Sequence, residues 1–130
     1  MQGTAFLYLK IPIGASMLAP GLRADVRVDE DMRGSGLGLV IGWGCSLGEP
    51  GADGVRRVTH HRIDIEVGDP AAARQHLRHL MHELDAPVGT ELHYTEQGLP
   101  LVDLLAAPGW LLGLPLDALP SVAAGPYSPR

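Results

Sequence analysis

From Gly34 to Gly44 a glycine occupies every even position except Val40, while Leu37, Leu39, Ile41, Trp43 and Cys45 fill the odd ones. Side chains alternate sides along a strand. The run is therefore expected to be a strand, near Leu37 to Leu47, with one bulky apolar face and one bare face. Glycine packs nothing in a strand interior and costs backbone entropy, so the bare face needs a reason. Close approach of a helix or of another stretch of backbone is the commoner reason, and a ligand resting on the bare face is the other. The run is not a dinucleotide fingerprint. Gly34-Ser35-Gly36-Leu37-Gly38 lacks the third glycine of G-x-G-x-x-G and continues as a strand instead of opening a helix. The phosphate-loop motif is absent too, since Lys10 is the only lysine.

The segments around this run set the expected architecture. Ala5 to Ile13 is apolar and reads as a first strand. From Leu22 to Asp29 the chain alternates, with Leu22, Ala24, Val26 and Val28 against Arg23, Asp25, Arg27 and Asp29, which predicts a half-exposed second strand. The stretch Gly48-Glu49-Pro50-Gly51-Ala52-Asp53-Gly54 is dense in turn formers and closes a hairpin onto Val55 to Val67. Asp69-Pro70 is a helix start, with the carboxylate at the N-cap and proline where its missing N–H costs nothing. Ala73, Leu77, Leu80, Met81 and Leu84 then form one stripe at helical spacing. Thr90 to Thr95 and Leu99 to Asp103 return as extended pieces. Prolines at 108, 115, 120, 126 and 129 rule out a long helix or a central strand in the last segment. The expectation is an α+β domain over residues 1–107: a mostly antiparallel sheet of five or six strands in β-β-β-β-α-β order, with one main helix on one face. Residues 108–130 form a Pro/Leu-rich arm packed on the domain or on a neighbouring chain, and that arm is a route to a homodimer.

Composition narrows the function classes. The net charge of −5 opposes nonspecific nucleic-acid binding, which draws its affinity from phosphate neutralisation. It suits a basic protein partner. A single cysteine, Cys45, excludes an internal disulfide and a cysteine-based zinc site. No apolar stretch reaches the roughly 20 residues of a membrane span, and no signal peptide is evident, so a cytoplasmic protein is expected. Nine arginines against one lysine, with abundant Ala, Gly and Pro, fit a GC-rich bacterial genome.

His60, Arg62, Asp64 and Glu66 share one face of a strand and are the best candidate constellation. Catalysis there requires two groups converging on one substrate atom, with the remainder supplied by an adjacent strand. Asp25, Asp29 and Glu30 qualify only if their strand is that neighbour. Without convergence the same residues make a solvated face laced with ion pairs, or a face that binds protein. Gly36, Gly38, Gly42 and Gly44 are the candidate floor if a ligand rests beside them. His76, His79 and His82 recur along the helix, with Glu83 four residues after His79. Their spacing lacks the i,i+4 histidine pair and internal glutamate of a zinc helix, so they read as a solvated face and no metal site is assigned. No G-x-S-x-G elbow exists, and Cys45 sits on an apolar strand face, as an inert core thiol does.

Phe6-Leu7-Tyr8-Leu9-Lys10-Ile11-Pro12, the G-x-G hairpin, Ile63-Asp64-Ile65-Glu66-Val67-x-Asp69 and Leu84-x-x-Pro87-x-Gly89-Thr90 together resemble a pattern of small uncharacterised bacterial α+β proteins. The pattern spans roughly residues 5 to 95. The resemblance implies an association with immunity proteins that neutralise toxins, and it implies no catalytic residue and no cofactor. The leading expectation is a non-enzymatic binding module whose partner is a protein such as a basic toxin domain. One alternative is a small-molecule or metal-binding domain, enzymatic or not, using the glycine-lined face with His60, Asp64 and Glu66. The other is a self-associating structural protein.

Overall fold

The structure, a computed structural model, describes residues 4–12, 24–47, 50–55 and 58–118, with the side chains of 45–47, 58 and 59 outside the described set. The elements in chain order are β1 (Ala5–Pro12), α1 (Ala24–Ser35), β2 (Gly38–Leu47), β3 (Val58–Val67), α2 (Pro70–Glu83), β4 (Glu91–Glu96), β5 (Leu99–Ala106) and β6 (Gly109–Pro115), followed by a 3₁₀ turn, Leu116–Ala118. One six-stranded sheet runs β2-β3-β1-β4-β5-β6 with every neighbouring pair antiparallel. The α+β class and the strand count agree with the sequence reading. The first six elements form the double split β-α-β arrangement, in which each helix joins two parallel strands that have a third between them. The β4-β5-β6 meander extends that unit on one side.

The expected second strand is a helix, so the order is β-α-β-β-α-β-β-β and two helices cover the sheet. Ala24, Val28 and Met32, four residues apart, are buried, whereas Val26, their companion in a strand pattern, is 43% exposed. Two i,i+4 ion pairs, Arg27–Asp31 at 3.4 Å and Asp29–Arg33 at 2.9 Å, line the outside of α1. Three alternating apolar residues imitate a strand over Leu22–Asp29. Met32, beyond that window, completes the helical stripe instead. The Asp29 carboxylate also accepts the backbone N–H of Val40 at 2.9 Å, tying α1 to β2, and that bond holds its pKa below the usual carboxylate range.

The glycine run divides between two elements. Gly34 lies in the last turn of α1, and Gly36 terminates that helix at φ +74°. The Gly36 N–H donates to Arg33 O at 3.1 Å and the Leu37 N–H to Met32 O at 3.0 Å, the paired bonds of a Schellman ending. Gly38, by contrast, is needed for space, because a Cβ there would collide with the Glu66 carbonyl oxygen. The same ending closes α2, where Asp85 stands at φ 56° with its N–H on His82 O at 3.1 Å and Ala86 N–H on Met81 O at 2.9 Å. At its other end, α2 is capped by Asp69, whose side chain accepts from Ala72 N–H at 3.2 Å, with Pro70 in the first turn.

Both helices pack on one face of the sheet. Leu7, Leu9 and Ile11 of β1, Ile63, Ile65 and Val67 of β3 and Leu92 of β4 meet Val28 and Met32 of α1 and Ala73, Leu77, Leu80 and Met81 of α2, all at most 2% exposed. Each large aliphatic side chain so buried contributes about 1.5–3 kcal/mol. Beside this core sits a fully buried carboxylate, Asp103. It accepts from Arg74 (Nε 3.1 Å, Nη2 3.0 Å), Arg78 Nη1 (2.9 Å), the Tyr94 hydroxyl (3.1 Å) and the Gly113 backbone N–H (2.9 Å). Arg74 also lies 3.7 Å over the Tyr94 ring. One side chain thus joins α2, β4, β5 and β6. Residues 109–115, expected within a proline-rich arm, are the edge strand β6, while 119–130 lie outside the described residues, as do Leu22, Arg23, Gly48, Glu49 and the side chain of Cys45. No helix among the described residues is long and apolar enough to cross a membrane.

Asp85 holds a left-handed conformation that costs an L-residue roughly 1–2 kcal/mol, so Asp85→Gly is expected to raise stability by about 1 kcal/mol. The check is a higher denaturant midpoint with an unchanged slope. A second expectation concerns alkali. Burial and the Asp103 carboxylate push the Tyr94 hydroxyl up from 10.0 to about 12. The folded state therefore keeps a proton that the unfolded chain releases first. The stability this supplies is fully present below pH 10.0 and is lost as pH rises through about 12, amounting to about 2–3 kcal/mol. Tyr94→Phe should flatten that alkaline loss in denaturation curves recorded from pH 8 upward.

Candidate functional site

With the helices on one side, alternation sends the even-numbered residues of β1 and β3 to the other. Directly opposed residues of an antiparallel pair project to the same side. The register opposes Phe6 to Glu66, Tyr8 to Asp64 and Lys10 to Arg62 across β1 and β3. On the next strand it sets His93 beside Tyr8 and Glu91 beside Lys10. On β2 it sets Gly42 beside Asp64 and Gly44 beside Arg62.

These neighbours form a row across three strands. The Arg62 guanidinium lies 3.8 Å over the Tyr8 ring. The Tyr8 ring stacks on His93 at 4.4 Å with an interplanar angle of 6°. His93 Nε2 is 2.7 Å from Glu91 Oε1. At the other end Arg62 Nε donates to Asp64 Oδ1 at 2.9 Å. The two ends differ in burial. The His93 and Glu91 side chains are 9% and 7% exposed, whereas Arg62 and Asp64 are 46% and 39% exposed. An exposed ion pair contributes only about 0–1 kcal/mol, so the Arg62–Asp64 contact orients those groups more than it stabilises the fold.

Electrostatics across the row keeps its titrating members uncharged near neutrality. Burial lowers the His60 pKa first of all, the Lys10 and His93 charges lower it further, and the Glu91 carboxylate opposes them. Burial raises Tyr8, partly countered by Arg62.

Of the expected constellation, the structure brings Arg62 and Asp64 together and does not bring His60 to Asp64 or Glu66. His60 and Asp64 lie four residues apart on one strand, about 13 Å at 3.3 Å per residue. That spacing does not suit an acid–base pair acting on one atom. Glu66 makes no ion pair among the described residues and lies beside Phe6, which is 61% exposed. Asp25, Asp29 and Glu30 belong to α1, in the layer on the opposite side of the sheet, and supply nothing here.

The candidate glycines separate in the same way. Gly36 caps a helix, and Gly38 faces the helix side beside Val67. Gly42 and Gly44 do lie on the open face. A Cβ on Gly44 would meet nothing within 4 Å, and one on Gly42 would have Asp64 Oδ2 at 3.5 Å as its nearest contact. The expected close packing of a helix or arm on the bare face is therefore wrong at these two positions, because both helices lie on the other side of the sheet. The glycines leave the outer flank of Asp64 and Arg62 uncovered.

Sequence reasoning missed Tyr8, Lys10, Glu91 and His93. The alternation of Glu91, His93 and Thr95 against Leu92 and Tyr94 carried a signal for two of them, but adjacency to β1 is a matter of strand order. On the helix side, His79 pairs with Glu83 at 3.2 Å and is 71% exposed. His76 and His79 line a shallow cavity of about 410 Å³ with Leu37, Ala72 and Gln75. Among the described residues no group of three or more metal-ligating side chains converges. Comparison with known protein families, curated proteins and solved structures returns no match.

The row's electrostatics is open to a direct check. Lys10→Gln removes a cation that depresses His60, so the His60 midpoint in an NMR titration should move up. An unchanged midpoint would show that Lys10 does not act on it.

Proposed function

We propose that this chain is a non-enzymatic, cytoplasmic binding module that docks a basic protein partner on the open face formed by β2, β3 and β1. The observation that carries the reading is Phe6, a large apolar side chain 61% exposed on a strand flanked on both sides, next to the unpaired carboxylate of Glu66. An apolar anchor beside a desolvatable charge is the combination from which protein interfaces draw affinity and register. Asp64 adds a second carboxylate, accessible from the bare Gly42 side. The net charge of −5 favours encounter with a basic surface. Neutralisation of a toxin, which the sequence resemblance implies, is one form such docking takes.

A photo-crosslinking residue placed at position 6 should capture a discrete protein from the native host, and the same residue at His82, exposed on the helix side, should not. Glu66→Lys should slow association with the captured partner about 10-fold at low salt. Equal capture at both positions, or none at position 6, would overturn the proposal.

A further inference from the structure

The second surface of interest is the β6 edge, remote in the sheet from the open face on β2, β3 and β1. Edge strands present unpaired backbone groups, and proteins ordinarily guard them with charges, prolines or bulges. β2, at the opposite edge, is guarded by two register shifts, at Val40/Gly42 and Ser46/Leu47. β6 is guarded much less. From Leu104 to Leu116 the chain carries no charged residue, and Leu111, Leu112 and Leu116 are 44%, 53% and 43% exposed. Leu111 and Leu112 are consecutive in the strand and so project to opposite sides of the sheet. The edge therefore offers apolar surface above and below a backbone ladder.

We propose that this edge pairs antiparallel with the β6 edge of a second copy of the chain, across a two-fold axis. An antiparallel edge is self-complementary, and an isologous contact of this kind closes after two subunits. Charge selects the same edge. Two chains of net charge −5 repel over most of their surfaces, but the stretch around β6 is neutral and carries no such penalty. The shifts in β2 oppose a β6-to-β2 contact, which would propagate as a filament. Pro115 lacks an N–H and bounds the ladder at the C-terminal end of β6, leaving Gly109 to Leu114 to pair. The open face, with Phe6 and Glu66, stays available in the dimer.

Light scattering on the full chain, at concentrations from low to high micromolar, should give a mass rising to twice 13.8 kDa. Leu112→Lys puts a charge at the junction and should return the mass to that of one chain, while Leu99→Lys, at another exposed leucine (62%), should leave the dimer intact. Hydrogen exchange on the unaltered protein supplies a measurement that does not depend on a variant folding. The β6 amides should gain protection as concentration rises. A one-chain mass throughout would overturn the proposal. So would a dimer that survives Leu112→Lys, or protection of the β6 amides that is independent of concentration.

Discussion

Both layers of this fold rest on one constraint, that β1 and β3 must hide one set of alternating side chains beneath two helices. Leu7, Leu9 and Ile11 and their partners Ile63, Ile65 and Val67 are at most 2% exposed. No register that buries them leaves Tyr8, Lys10, Arg62 and Asp64 anywhere except together on the far side. The candidate site is thus a consequence of core packing. The polar row across β3, β1 and β4 exists because the apolar row beneath it is continuous.

Asp103 does the corresponding work on the other flank. A carboxylate without solvent is tolerated only when its lone pairs are filled, and here two arginines of α2, a tyrosine of β4 and a backbone N–H of β6 fill them. The arrangement fixes α2 against β4, β5 and β6 and holds Gly113 of the edge strand in place. The open face is organised differently. Its contacts are an exposed ion pair, a cation over a ring and one stacked ring pair, and the side chains of Arg62 and Asp64 remain accessible to a partner. The first arrangement resists rearrangement, and the second can exchange its contacts at small cost.

Much of this was legible before the structure. Asp69-Pro70 and the stripe through Ala73, Leu77, Leu80, Met81 and Leu84 gave α2, because capping and helical periodicity are local. The alternation in β3 gave the polar face of Arg62, Asp64 and Glu66 for the same reason. The reading failed at Leu22–Asp29, where three alternating apolar residues agree with a strand and with part of a helix. Only burial distinguishes them, and Val26 is exposed while Met32 is not. The glycine run misled in another way. A regular spacing of one residue type served three unrelated needs: a left-handed helix ending at Gly36, space against the Glu66 backbone at Gly38, and an uncovered strip at Gly42 and Gly44.

The sequence by itself determined the α+β class, the capped helix, the hairpin of β2 and β3 and which residues share a face of β3, since each depends on neighbours a few positions apart. Tertiary structure decided that β1 lies between β3 and β4, and with that the meeting of Arg62, Tyr8 and His93, residues from three separate stretches of the chain. It also decided that the second helix comes from 24–35, that Asp103 is buried among arginines, and that the bare glycines face away from both helices. Strand order and burial are settled by which arrangement hides the most apolar surface of the whole chain at once, and no local window contains that comparison.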